Sequence, residues 1–255
     1  MSVGIDIAGV SKSYAVAKGE IRALGPIDLA IATGRFVSLV GPSGCGKSTL
    51  LMIVAGLVAA SEGEVSIAGE PVDGPVTNLG IVFQSCVLVD WRSALDNVLL
   101  QIELRGLSRR AYRPKAEALL RSVGLGGFLD RRPYELSGGM QQRTAFCRAL
   151  VHDPPLMLLD EPLGALDAMT GEKLRGDLEA LWMRRPMTVV LVTHSIEEAV
   201  QLSDEVVVIS PRPGRILRSV PIDLPRPRDF ALRQQPEFQE LVTEIKEIFR
   251  GYGVL

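Results

Sequence analysis

Phe36-Val37-Ser38-Leu39-Val40-Gly41-Pro42-Ser43-Gly44-Cys45-Gly46-Lys47-Ser48-Thr49 decides the fold of this chain. Phe36 to Val40 reads as a strand, the glycine-rich stretch as a loop, and Lys47 to Leu57 as an apolar helix. That succession is the setting in which a Gly-x4-Gly-Lys-Ser pattern holds phosphate. Glycines at 41, 44 and 46 let the amides of Gly41, Pro42, Ser43, Gly44, Cys45, Gly46, Lys47, Ser48 and Thr49, Pro42 lacking its own N–H, curl around an anion. The positive end of the following helix adds to the attraction. Lys47 then supplies a point charge to the phosphates, and the Ser48 hydroxyl is a ligand for Mg²⁺.

Downstream, Leu156 to Leu159 is an apolar run that stops at Asp160-Glu161. Two carboxylates at the C-terminal end of a buried parallel strand stand where open α/β sheets bind their ligands. Asp160 is positioned to hold the Mg²⁺ shell and Glu161 to polarise an attacking water.

The rest of the chain alternates accordingly. The first 40 residues read as strands over Ile5 to Val10, Ile21 to Ala30 and Phe36 to Val40. Short strands follow at Glu64 to Ile67 and Gly80 to Gln84. Helices are expected over Ser93 to Leu104, Pro114 to Val123 and Met140 to Val151, with Gly124-Leu125-Gly126-Gly127 as a break. Beyond Glu161 the expected order is helix Thr170 to Met183, strand Thr188 to Thr193, helix Ile196 to Leu202 and strand Glu205 to Ser210. Such alternation predicts a mostly parallel sheet. Pro211 to Arg228 reads as a hairpin and an extended connection, and Pro236 to Arg250 as an amphipathic helix with a packing face.

Composition narrows the class. The 255 residues are 47% hydrophobic and 23% charged, with a formal net charge of −2, which gives no nucleic-acid footprint. No apolar run reaches the roughly 18 residues of a membrane span, and no secretory leader opens the chain, so a cytoplasmic location is expected. Three cysteines at irregular spacing fit neither a disulfide framework nor a zinc site. His152 matches no motif and is expected at the surface, as are Arg109-Arg110 and Arg131-Arg132.

Several further residues stand in a fixed order around the loop and the acidic pair. Tyr14 lies in the strand-rich opening segment, Gln84 at the end of a strand, and Leu136-Ser137-Gly138-Gly139-Met140-Gln141-Gln142-Arg143 before a helix. Leu166-Asp167 follows the acidic pair, and His194 follows Leu191-Val192-Thr193. Together these resemble the ATP-binding cassette (ABC) ATPases over roughly Gly4 to Ser210. The resemblance implies an α/β P-loop NTPase fold of ABC-ATPase type, with a mixed RecA-like core sheet, an N-terminal antiparallel β subdomain and a helical signature subdomain. It implies an ATPase domain over 1–235, with β subdomain and RecA-like core at about 1–90 and 153–210, a helical subdomain at about 91–152, and a C-terminal hairpin and amphipathic helix over 211–255.

Roles follow from the same resemblance. Gln84 touches Mg²⁺ and the water, His194 bonds the γ-phosphate, and with Lys47 and Glu161 they form the catalytic set. Tyr14 stacks on adenine, a contact loose enough to admit GTP. Ser137 caps the signature helix, and Ser137, Gly138, Gly139 and Gln141 reach ATP held by a second copy, with Asp167 crossing the seam. Two chains arranged head to tail therefore enclose two ATP·Mg²⁺, a homodimer with closed symmetry.

Within the family, fewer than about a hundred residues separate Ser48 from Ser137, which leaves no room for a long coiled coil. The free-standing importer ATPases remain. Val87 to Val98 and Val207 to Ile216 resemble the nitrate, sulfonate and taurine importer branch, with departures at Asp90 and Leu163. That branch implies a peripheral subunit at the cytoplasmic face of the membrane, partnered by permease subunits and, indirectly, an extracytoplasmic solute-binding protein. Gln84 to Asn97 is the expected permease contact, with Trp91 either its anchor or a core residue. The alternatives are import of a different solute, a regulatory cassette without transport, or an unrelated phosphate-loop kinase.

Overall fold

A computed structural model describes residues 2–253 apart from 18, 165–167 and 186. The Leu166-Asp167 pair expected at a dimer seam lies outside the described residues. Two sheets carry the chain. The first is antiparallel, in the order β2-β1-β4-β5, from β1 (Ile5–Val16), β2 (Gly19–Ile31), β4 (Glu62–Ile67) and β5 (Glu70–Pro71). The second has six strands in the order β10-β9-β3-β8-β7-β6. Its strands are β3 (Phe36–Val40), β6 (Gly80–Val82), β7 (Leu156–Asp160), β8 (Thr188–Thr193), β9 (Glu205–Ile209) and β10 (Ile216–Pro221). All neighbours are parallel except the β9–β10 edge pair.

The central strands β3, β7 and β8 are buried at every residue, as expected for strands covered on both faces. Their C-terminal ends sit side by side, with Val40 paired to Thr193 and Asp160 to Val192. Gly41, Glu161 and His194 therefore leave the sheet at one edge, because register leaves them no other exit.

Seven helices complete the described fold. The helix after the glycine loop, α1, spans Lys47–Val54 and stops short of the expected Leu57. Gly56 at φ 69° ends it, and a Cβ there would stand 1.8 Å from the Gly74 carbonyl oxygen. The last residues of the expected helix, Ala55 to Leu57, thus form a turn against a distant loop. α2 (Ala94–Leu104) begins at the Ser93 cap, whose hydroxyl accepts from the Asp96 N–H at 3.1 Å. α3 (Arg109–Ser122) starts earlier than the expected Pro114, since Ser108 caps it and the helix absorbs the proline. α4 (Gly138–Leu150) completes the helical group. These three share a core of Leu95, Val98, Leu99, Ile102, Leu120 and Cys147.

α5 (Ala168–Arg184) and α6 (Ile196–Leu202) flank the sheet. The terminal helix α7 (Pro236–Gly251) buries Phe238, Val242, Ile245 and Phe249 against β9, β10 and α6. Each such side chain contributes about 1.5–3 kcal/mol. The connection before it is anchored by Arg228, whose buried guanidinium donates to the carbonyls of Val200, Ser203, Ile222 and Leu224. Burial holds that group down at about 10, below the usual arginine range. His152 is not the surface residue its sequence setting implies. It is half-buried, and burial and the nearby Arg105 lower its pKa to about 4.

Candidate functional site

The glycine loop is shaped by its neighbours. Gly46 takes φ 104°, and a Cβ there would stand 2.6 Å from Leu24 Cδ2 and 2.8 Å from the Ala23 oxygen. At Gly41 a Cβ would meet the Ile209 carbonyl oxygen at 2.8 Å. Only glycine fits either place, so the β sheets on both sides press the loop into its curl. Cys45 lies beneath, and burial raises its thiol pKa more than nearby Lys47 lowers it. A structural rather than a nucleophilic thiol results.

Lys47, buried, donates to the carbonyls of Gly41 at 2.7 Å and Pro42 at 2.9 Å. Its ammonium is thereby folded over the loop it belongs to. Next to it, the Ser48 hydroxyl donates to Asp160 Oδ1 at 2.7 Å. Burial pushes the Asp160 carboxyl above the ordinary range, the Ser48 hydrogen bond opposing this and Glu161 adding to it.

Glu161 follows β7 at φ 44°, a conformation uncommon for a side-chain-bearing residue. Its N–H donates to the Val192 carbonyl at 2.9 Å, which ties the strained residue to the next strand. Glu161 Oε2 accepts from Gln84 Nε2 at 3.2 Å and lies 3.4 Å from His194 Nδ1. Two of the expected catalytic side chains, Gln84 and His194, thus converge on one carboxylate oxygen of a third, Glu161.

An open cavity of about 470 Å³ joins these parts. Tyr14, Ser43, Gly44, Gly46, Lys47, Ser48, Thr49, Gln84 and Glu161 line it, with Ile21, Ala23 and Arg212. Tyr14 pairs with Ile21 across the β1–β2 ladder, so both stand on the cavity side. Lys12 Nζ sits 5.1 Å from the Tyr14 ring centroid.

The signature residues are elsewhere. Ser137 caps α4, accepting from the Met140 N–H at 3.4 Å. Exposed Gly138 has no atom within 4 Å of the place a Cβ would take. Neither these residues nor Gly139 and Gln141 line the cavity of their own chain. Gln141 instead turns its amide to the carbonyls of Pro133 and Leu136, at 2.9 and 3.2 Å. Farther along α4, Gln142 Oε1 accepts from Cys86 Sγ at 2.7 Å, and Arg148 donates to the Val87 carbonyl at 2.7 Å and the Cys86 carbonyl at 3.1 Å. Helix α4 therefore grips the segment that follows Gln84. Trp91, beyond that segment, is 78% exposed and is no core residue.

Arg212, Ile21 and Ala23 were not legible as site residues. Arg212-Pro213-Gly214-Arg215 stands out in the sequence, but nothing local shows that it folds back upon Gly44.

A glycine cradle at a helix start, a lysine bent across it, a Ser–Asp pair and a catalytic-type carboxylate at one sheet edge define a phosphate-loop nucleoside triphosphatase. Residues 24–164 match the ABC transporter family. An uncharacterised ABC transporter ATP-binding protein of Methanocaldococcus jannaschii is 44% identical over 98% of this chain and 92% of its own length. A taurine import ATP-binding protein of Ruegeria pomeroyi is 44% identical over 84% of this chain and 80% of its own. Among solved structures, the dimeric bacterial ABC transporter cassette MJ0796 superposes with a TM-score of 0.79 at 36% identity, over 86% of this chain and 99% of that one. A post-hydrolysis form of the same cassette, bound to ADP and phosphate, gives a TM-score of 0.76. The chain belongs to the ATP-binding proteins of ABC transporters, ATPases whose hydrolysis is coupled to transport. No helix among the described residues is long and apolar enough to cross a membrane.

Proposed function

We propose that this chain hydrolyses ATP as a head-to-tail homodimer and thereby drives import of a small anion of the taurine, sulfonate or nitrate type. The permease subunits, the cytoplasmic face of the membrane and a solute-binding protein upstream belong to the same proposal. Its support is the likeness to taurine import ATP-binding proteins, at 41–44% identity, together with the dimeric cassette that the fold matches.

One observation carries the shared-site reading. The signature end of α4 is exposed, unobstructed and absent from the cavity of its own chain, so an anion can reach it only from outside. A second copy supplies that anion when its nucleotide faces the Ser137-Gly138-Gly139 amides. The exposed Trp91 then serves as an anchor for the permease.

The oxygens fit a magnesium ion. Hard-cation sites in nucleotide enzymes use one or two carboxylates with substrate phosphates, and Ser48 Oγ and Asp160 Oδ1 are paired at hydrogen-bond distance here. Ser48, Asp160 and Gln84 would hold Mg²⁺, which would neutralise charge on the phosphate oxygens. Lys47 adds its own charge to those oxygens once it swings off the loop carbonyls. Glu161 accepts a proton from the attacking water, and its position is set by the Val192 bond and by Gln84 and His194. His194 donates to the γ-phosphate as negative charge builds on it.

Glu161→Gln tests the assignment. Hydrolysis is expected to fall by about 10²–10⁴, with ATP binding retained and a closed dimer accumulating in size-exclusion chromatography. Turnover at the wild-type rate would remove Glu161 from its role.

A further inference from the structure

The Ser210–Arg215 segment is built as a brace on the glycine loop. The Gly25 N–H donates to the Gly214 carbonyl at 2.9 Å, and the Gly214 N–H to Ala23 at 3.0 Å, which docks the segment on β2. Ser210 closes it internally, with the Arg215 N–H donating to Ser210 Oγ at 3.0 Å and the Ser210 N–H to the Arg215 carbonyl at 2.9 Å. At Gly214 a Cβ would stand 2.1 Å from the Cys45 carbonyl oxygen. The stem of Arg215 fills the space beside Gly25, where a Cβ would meet it at 2.9 Å. The brace is therefore pinned to both walls of the nucleotide cavity.

Arg212 is the side chain that this brace presents. It lines the cavity together with Ser43, Gly44 and Lys47. Its Nε donates to the Gly44 carbonyl at 3.1 Å, and its Nη2 lies 3.2 Å from the position of a Gly44 Cβ. Of the five N–H donors that a guanidinium carries, one is spent on the loop. Among the described residues no carboxylate lies within ion-pair distance of Arg212. The carboxylates that the site does contain, Asp160 and Glu161, are bonded to Ser48 and Gln84. A charged, planar, oriented group with open donors beside an amide cradle suits a phosphate oxygen.

We infer that Arg212 is a second cation for the phosphate chain of the bound nucleotide, held over the glycine loop by its bond to Gly44. This rests on the reading of the cavity as a nucleotide site. Lys47 acts from inside the loop and Arg212 from its outer rim. The brace gives the rim a fixed charge without lengthening the loop.

The test is nucleotide titration of the purified chain, dilute enough to stay monomeric, with ADP and a slowly hydrolysed ATP analogue. Arg212→Ala is expected to weaken both by about five- to twentyfold, a charge-assisted contact discounted for its exposure. Arg212→Gln keeps a donor for Gly44 but no charge, and is expected to match Ala, while Arg212→Lys recovers most of the affinity. The salt dependence of ADP binding should be shallower in Ala and Gln than in wild type. Wild-type ADP affinity in Arg212→Ala overturns the inference, and so does full recovery by Gln, since the brace and not the charge would then matter. Lys47→Ala separates the two readings. If it loses ADP while Arg212→Ala does not, only Arg212 is misassigned; if it binds ADP as wild type does, the nucleotide site is misread and Arg212 goes with it.

Discussion

The two glycine-rich ends of this protein obey opposite rules. In the phosphate loop, Gly41 and Gly46 are required by the chain itself, because a Cβ at either would press on Ile209 or on Ala23 and Leu24. At the start of α4, Gly138 is required by nothing in its own chain. A residue demanded by internal packing is a matter of folding. One with no internal reason is free to serve a requirement met outside the polypeptide, which is the place the proposed head-to-tail dimer gives it.

Substitutions can break that contrast. Gly46→Ala has the largest expected effect, a loss of about 2–4 kcal/mol in denaturant unfolding with ADP binding abolished, since strain and overlap act together. Gly138→Val is its counterpart. Unfolding should stay within about 0.5 kcal/mol of wild type and ADP affinity of the lone chain should not change, yet ATPase activity should drop about tenfold or more through the crowded amide. Loss of ADP affinity in the monomeric Gly138→Val chain would erase the distinction.

Asp160→Asn probes the inner half from another side. Burial raises the Asp160 carboxyl in the nucleotide-free chain. A raised acid weakens the fold as pH climbs through its folded pKa, and leaves it unaffected below the unfolded one. Asn at this position should therefore stabilise the free chain at pH 7 by about 1 kcal/mol, with the gain vanishing in acid. Magnesium-dependent hydrolysis should disappear. Thermal melts across pH and an ATPase assay read the two effects. The smallest change is expected at Tyr14, where Phe should bind ATP like wild type and Ala about fivefold more weakly, as ring stacking demands.

Legibility in the sequence followed the range of the contacts. The loop, the Asp160-Glu161 pair and the strand carrying them were readable because each announces itself by a pattern within a few residues, although distant residues such as Leu24, Ile209 and Val192 fix its shape. The ends of α1 and α3 were not. Gly56 closes α1 through an approach to Gly74, and Ser108 starts α3 ahead of a proline that reads locally as a boundary. His152 reads as exposed because the groups that act on it, Leu79, Arg105 and Lys115, come from far along the chain. Arg212 is the same case at the site, since its meaning arises only where Gly214 docks between β2 and Cys45. The signature was recognised by pattern, and its expected separation from the cavity of its own chain agrees with the fold.

The grip of α4 on Cys86 and Val87 has a mechanical corollary. Arg148 and Gln142 sit on the same rod whose opening turn displays Gly138. A displacement of the Cys86-Val87 segment must either break those bonds or swing the rod. On the proposed permease contact, force applied at the outer surface would arrive as torque at the opening turn of α4.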